Sequence, residues 1–142
     1  MSSADEAAGW SFPRLDHVQV AAPPGCEAAA RAFYGEALGL PEIEKPAPLG
    51  SRGGVWFALG DGAQLHVGVA DPFAAARKAH PALRVGDAHL HALARRLHDA
   101  GSTVTWDHEL PDVRRFFTAD PWGNRLELLS TDAAGSAGGA GP

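Results

Sequence analysis

Three histidines and one glutamate, His17, His66, His80 and Glu127, are the residues whose types and spacing suit chemistry in this chain. Imidazole nitrogen binds zinc, nickel, iron and cobalt, and a carboxylate adds negative charge and a hard oxygen. The four fall into two matched pairs, 49 residues from His17 to His66 and 47 from His80 to Glu127 (66 − 17 and 127 − 80). Beside three of them the neighbours are apolar: Val18; Leu65 and Val67; Leu126 and Leu128. A strand alternates its side chains between faces, so those neighbours pack under helices while His17, His66 and Glu127 turn to the opposite, concave face. Pro81 follows His80 and places it at an edge or a bulge. Four such ligands on an octahedral ion leave two positions for a substrate with two adjacent oxygens. The ion then acts as a Lewis acid on the charge that forms. A divalent metal (zinc, nickel, iron, cobalt or manganese) is the cofactor expected.

The elements that must position these residues occur twice. The first pass runs from the alternating segment Leu15 to Val20 into a helix from about Cys26 to Leu38, stopped by Gly39. A Pro/Gly-rich loop over residues 41 to 54 precedes strands at Val55 to Leu59 and Gln64 to Val69, joined by the turn Gly60-Asp61-Gly62. The second pass opens at His80 to Val85. Its helix is expected to be capped by Asp87, with Leu90, Leu93 and Leu97 on one face and Gly101 at the end. Strands follow at Ser102 to Trp106, Val113 to Thr118 and Arg125 to Leu129, the last two joined by Asp120-Pro121-Trp122-Gly123-Asn124. The fold class read from this is α+β, two tandem βαβββ modules forming curved, mostly antiparallel sheets around a metal cleft. The boundaries expected are a flexible start over 1–12, one domain over 13–131 with modules at 13–71 and 77–131, and a disordered Gly/Ala tail over 132–142.

Composition narrows the partners. The chain has 142 residues, 45% hydrophobic and 20% charged, as one globular domain does. A net charge of −5, with no basic run beyond Arg95-Arg96 and Arg114-Arg115, argues against nucleic acid or an anionic membrane. The single cysteine, Cys26, fits a reducing compartment. No signal-like or membrane-length segment is seen, so a cytoplasmic location is expected.

The runs LDHVQV, ARAFYGEALGL, QLHVGV, KAHPALRV and DPWGNRLELL resemble the vicinal-oxygen-chelate superfamily of glyoxalases, bleomycin-resistance proteins and dioxygenases, over roughly residues 14 to 131. DP-x-GNR-x-E is the most specific piece. The resemblance implies metal ligands on the first and last strands of each module, which here are His17, His66, His80 and Glu127. It implies a glyoxalase-I-like lyase or isomerase in which Glu127, with His66, shuttles a proton. In small two-module relatives the cleft is often completed by pairing two chains, so a homodimer is expected.

Glyoxalase-I-like members usually carry Glu or Gln where this chain has His66. A histidine there is also similar to extradiol dioxygenases, where His17, His80 and Glu127 would hold iron and His66 would be the acid/base. Those enzymes typically place a tyrosine at the position of Phe117 and contain four modules, which disfavours that chemistry. A drug-binding resistance protein and a fosfomycin-type thiol transferase are further alternatives. Trp56, Phe117 and Arg115 are candidate substrate-pocket residues, and Arg84 and Arg115 could grip a substrate carboxylate. His89, His91, His98 and His108 read as solvated, Cys26 as a packing residue and Trp122 as a loop anchor.

Overall fold

The computed structural model describes residues 9–131; the expectations for residues 1–8 and for the 132–142 tail lie outside them. Eight strands form two four-stranded sheets. The first contains β1 (His17–Ala22), β2 (Glu42–Ile43), β3 (Val55–Ala58) and β4 (Gln64–Val69), in the order β1-β4-β3-β2. The second contains β5 (Ala82–Val85), β6 (Thr105–Asp107), β7 (Arg115–Ala119) and β8 (Arg125–Ser130), in the order β5-β8-β7-β6. Each sheet is mixed: β1 runs parallel to β4 and β5 parallel to β8, while the other pairs are antiparallel. The parallel pairs follow from the connectivity, because an intervening helix carries the chain across before the last strand of each module returns beside the first.

The first helix, α1 (Glu27–Ala30), is drawn from an Ala-rich run and widens into a π-helical stretch, Arg31–Ala37. The second, α2 (Leu90–Asp99), buries Leu90, Ala94 and Leu97 on one stripe. It ends in a Schellman arrangement: Gly101, at φ 95°, donates to the His98 carbonyl at 3.0 Å and Ser102 to the Leu97 carbonyl at 2.9 Å. Gly54 meets a steric demand, since a Cβ there would lie 2.2 Å from the Val67 carbonyl oxygen of β4.

Three expectations need correction. Asp87 does not cap α2, because a 3-10 turn, Asp87–His89, intervenes and no cap bond forms. Its carboxylate is taken by the Arg114 guanidinium and by the Ser130 hydroxyl at 2.7 Å, charged and hydroxyl donors that outcompete a helix end. The loop over 41–54 is not wholly irregular, since it contributes β2, paired with Trp56 and Phe57 of β3, and a 3-10 segment, Ala47–Arg52. β1 starts at His17, and Leu15 is 76% exposed before it.

The apolar face of both sheets and the inner faces of the helices join in one core that includes Tyr34, Phe57, Leu65, Phe116, Leu126 and Leu128. The Asp120–Asn124 turn ties the modules together. Asp120 Oδ1 accepts the backbone N–H groups of Trp122 at 3.0 Å and Asn124 at 2.8 Å. Its Oδ2 accepts the Tyr34 hydroxyl and the Asn124 amide, both at 2.8 Å, and that amide also donates to the Ala21 carbonyl at 2.7 Å. Asp120 and Asn124 are each 5% exposed. The most specific motif in the sequence thus acts as a clamp between modules. Among the described residues no helix is long and apolar enough to cross a membrane.

Candidate metal centre

Register decides which polar side chains share a face. In the first sheet Gln19 and Trp56 both lie opposite His66, and His17 is two residues along β1 from Gln19. Three rings stack in a row. Trp56 lies on His66 at 3.7 Å between centroids and 3° off parallel, and His66 lies on His17 at 4.3 Å and 15°. His66 is 3% exposed. Its Nε2 donates to Gln64 Oε1 at 2.8 Å, which leaves Nδ1 with its lone pair. Burial first, then the neighbouring His17, pushes the His66 imidazole below its ordinary value, so it is neutral at pH 7. His17 Nδ1 meets Asp16 Oδ2 at 2.8 Å, an orienting contact that leaves Nε2 for another partner.

The second sheet presents the other pair. Glu127 lies opposite Ala82, and His80 sits just before β5, beside Pro81, whose carbonyl accepts the Glu127 N–H at 3.0 Å. β5 is an edge strand, as the proline demands. His80 Nε2 lies 2.9 Å from Glu127 Oε1, and its Nδ1 lies 2.8 Å from the Lys78 carbonyl. A carbonyl only accepts, so Nδ1 carries a proton and Nε2 is the atom turned to the carboxylate. Glu127 Oε2 accepts Arg115 Nη1 at 2.9 Å, while Arg115 Nη2 donates to Asp107 Oδ2 at 2.5 Å. Burial pushes the Glu127 carboxyl up, but the hydrogen bonds from His80 and Arg115 outweigh it and hold it below the usual range.

Among the described residues no three His, Cys, Asp or Glu side chains converge in one chain. The structure joins His17 to His66 and His80 to Glu127, and does not bring the four together.

A glyoxalase-like domain model matches residues 19–129. The chain belongs to the glyoxalase-like family. The family match and the fold place this glyoxalase-like protein in the vicinal-oxygen-chelate superfamily. It is 47% identical to a protein assigned to the glyoxalase family from Bacillus anthracis, with a TM-score of 0.79 over 84% of this chain and 96% of that one. A lactoylglutathione lyase from Agrobacterium tumefaciens shares the fold at 20% identity and a TM-score of 0.67, over 87% of this chain and 98% of that one. A fosfomycin resistance protein, FosX, from Listeria monocytogenes shares it at 14% identity and a TM-score of 0.68, over 84% and 91%. No curated protein matches.

The donor chemistry of the glyoxalase-like protein suits a divalent ion at the second sheet. Two donors each about 2.1 Å from one ion at a right angle lie about 3.0 Å apart, and the His80–Glu127 separation is 2.9 Å. The backbone bond at Nδ1 and the guanidinium at Oε2 are contacts of the kind that would orient both groups toward an ion. The stacked pair fits less simply. An ion lies in the plane of the imidazole that binds it, and two planes 15° apart at 4.3 Å do not meet near the rings. As stacked, His17 and His66 do not both reach one ion.

The expected pocket residues of this glyoxalase-like protein divide. Trp56 offers one face to His66. Arg115 is committed to two carboxylates, and Arg84 donates to the Ser130 carbonyl at 2.9 Å. Phe117 lies edge-on to His80 at 5.8 Å, with Arg125 over its ring at 4.0 Å. His91 stacks on Trp106 at 4.6 Å and, with His108, lines a cavity of about 420 Å³ under the β6–β7 loop. Cys26 is buried. Sequence reasoning missed Asp16, Gln64, Asp107 and Arg125. Asp107 and Arg125 follow from strand alternation, being opposite Arg115 and two residues before Glu127, but Gln64 needs the rotamer of His66 to be known.

Proposed function

We propose that this protein is a divalent-metal-dependent enzyme of glyoxalase-I-like type, a lyase or isomerase acting on a small substrate that chelates through vicinal oxygens. The observation that carries the reading is the His80–Glu127 pair, 2.9 Å apart, with the other atoms of both groups fixed by Lys78 and Arg115. His17, His80 and Glu127 would hold the ion. A divalent ion held there supplies Lewis-acid polarisation of the chelating oxygens. Since the two pairs do not converge in one chain, we infer that two copies pair and that the partner subunit's His17 completes each site.

The proton work falls on His66 rather than Glu127. Glu127 is tied by hydrogen bonds to His80 and Arg115 that lower its basicity, whereas His66 is neutral, buried and keeps one lone pair. Gln64 fixes its tautomer, and the rings on either side fix its plane.

A two-histidine, one-carboxylate set beside a separate histidine also suits an iron dioxygenase. The stacking of His66 on His17 favours that second reading, and Phe117 in place of a tyrosine disfavours it.

Elemental analysis of the purified protein and three variants tests the proposal. About one metal per chain is expected in the parent and in His66→Ala, with loss in His80→Ala and Glu127→Ala. A metal-free parent, or full occupancy in both ligand variants, would overturn it. Iron as the retained metal would select the dioxygenase reading.

A further inference from the structure

Arg125 is the arginine on this face whose donors meet no hydrogen-bond acceptor among the described residues, whereas Arg84 donates to the Ser130 carbonyl. Arg125 lies on β8 two residues before Glu127, on the same face and so about 7 Å away along the strand. Its guanidinium rests over Phe117 at 4.0 Å, and Phe117 in turn lies against His80 at 5.8 Å. A cation over an aromatic face is attracted to the ring and held at a set place, yet keeps its N–H donors. Among the described residues no carboxylate reaches Arg125, whereas Arg115 is shared by Glu127 and Asp107, and Arg114 is paired with Asp87. The side chain is exposed, so its donors are open to an incoming molecule.

The charge on this face points the same way. Two carboxylates, Glu127 and Asp107, share this face with three guanidinium groups, Arg84, Arg115 and Arg125, which leaves one positive charge in excess. A divalent ion at His80 and Glu127 would raise that excess to three on one wall of the site. A neutral chelator would not match that excess, and a chelator bearing a further negative group would.

We propose that Arg125, seated on Phe117, binds an anionic group of the substrate, so that the substrate class is a vicinal-oxygen chelator carrying a carboxylate or similar anion at its far end. The assignment rests on the metal reading above and adds a specificity residue to it. Arg125 is distinct from the arginines that sequence alone nominates for this task.

The test is calorimetric titration of the zinc-loaded protein with two matched probes. Catechol offers two adjacent oxygens alone, and 3,4-dihydroxybenzoate adds a carboxylate across the ring. The parent is expected to bind the carboxylate-bearing probe at least about tenfold more tightly, the worth of one charge-assisted hydrogen bond. Arg125→Gln removes that preference while leaving catechol binding unchanged, and Arg125→Lys keeps part of it. Zinc content is measured on the same samples, which separates the two layers of the argument. Bound zinc with no preference, or a preference that survives in Arg125→Gln, overturns the Arg125 assignment alone. Failure to retain zinc overturns the metal reading and this assignment with it.

Discussion

Arg115 holds Glu127 and Asp107 at once, its two terminal nitrogens lying 2.9 Å from one carboxylate and 2.5 Å from the other. The three side chains are largely shielded, at 17%, 10% and 16% exposure. The guanidinium therefore does two things for the centre. It occupies Oε2 of Glu127, which leaves Oε1 as the atom turned to His80, and from β7 it lies between two negative charges on the flanking strands β8 and β6.

Removing that guanidinium leaves the two carboxylates, on the strands either side of β7, without the cation between them. Arg115→Met is expected to cost about 3 kcal/mol of stability in metal-free protein, as breaking a buried ion pair does. Asp107→Asn should cost less, because Glu127 keeps its partner. Urea unfolding at pH 7 checks both. Equal, small losses in the two variants would show that the guanidinium is not the keystone of the trio.

The clamp at Asp120 makes a structural claim that is separable from chemistry. Asp120→Ala deprives the Tyr34 hydroxyl, the Asn124 amide and two backbone N–H groups of an acceptor. A loss of about 3–5 kcal/mol is expected, since several buried donors are orphaned together. Tyr34→Phe removes one donor and should cost about 1 kcal/mol. Thermal unfolding gives the comparison, and metal content in Tyr34→Phe should match the parent.

If each centre is shared between two chains, inactive variants should complement each other. Mixing equal amounts of His17→Ala and Glu127→Ala, with subunit exchange, produces dimers of which half are mixed, each with one intact site. About a quarter of the parent's metal content should return. Centres built within one chain would give no recovery.

Much of this was legible in the residues. Strand alternation around His66 and Glu127 placed both on one face of their sheets, and the two repeats placed His17 and His80 at corresponding points, because side-chain period and connectivity are local properties. Other features were not. Asp87 looked like a helix cap, yet Arg114 and Ser130, distant in sequence, compete for its carboxylate. The stacking of His66 between Trp56 and His17 depends on side-chain rotamers, which spacing does not specify. The same holds for Arg115, whose two carboxylates remove it from the pocket role that its strand position suggested.

The account depends on one ion shared by residues 47 positions apart. Anomalous diffraction from crystals grown with zinc, collected on both sides of the metal edge, tests it most directly. The predicted result is a peak about 2.1 Å from both His80 Nε2 and Glu127 Oε1, with the imidazole of the partner subunit's His17 as a third ligand. A difference map without a peak between His80 and Glu127, in protein shown to be folded, would contradict it.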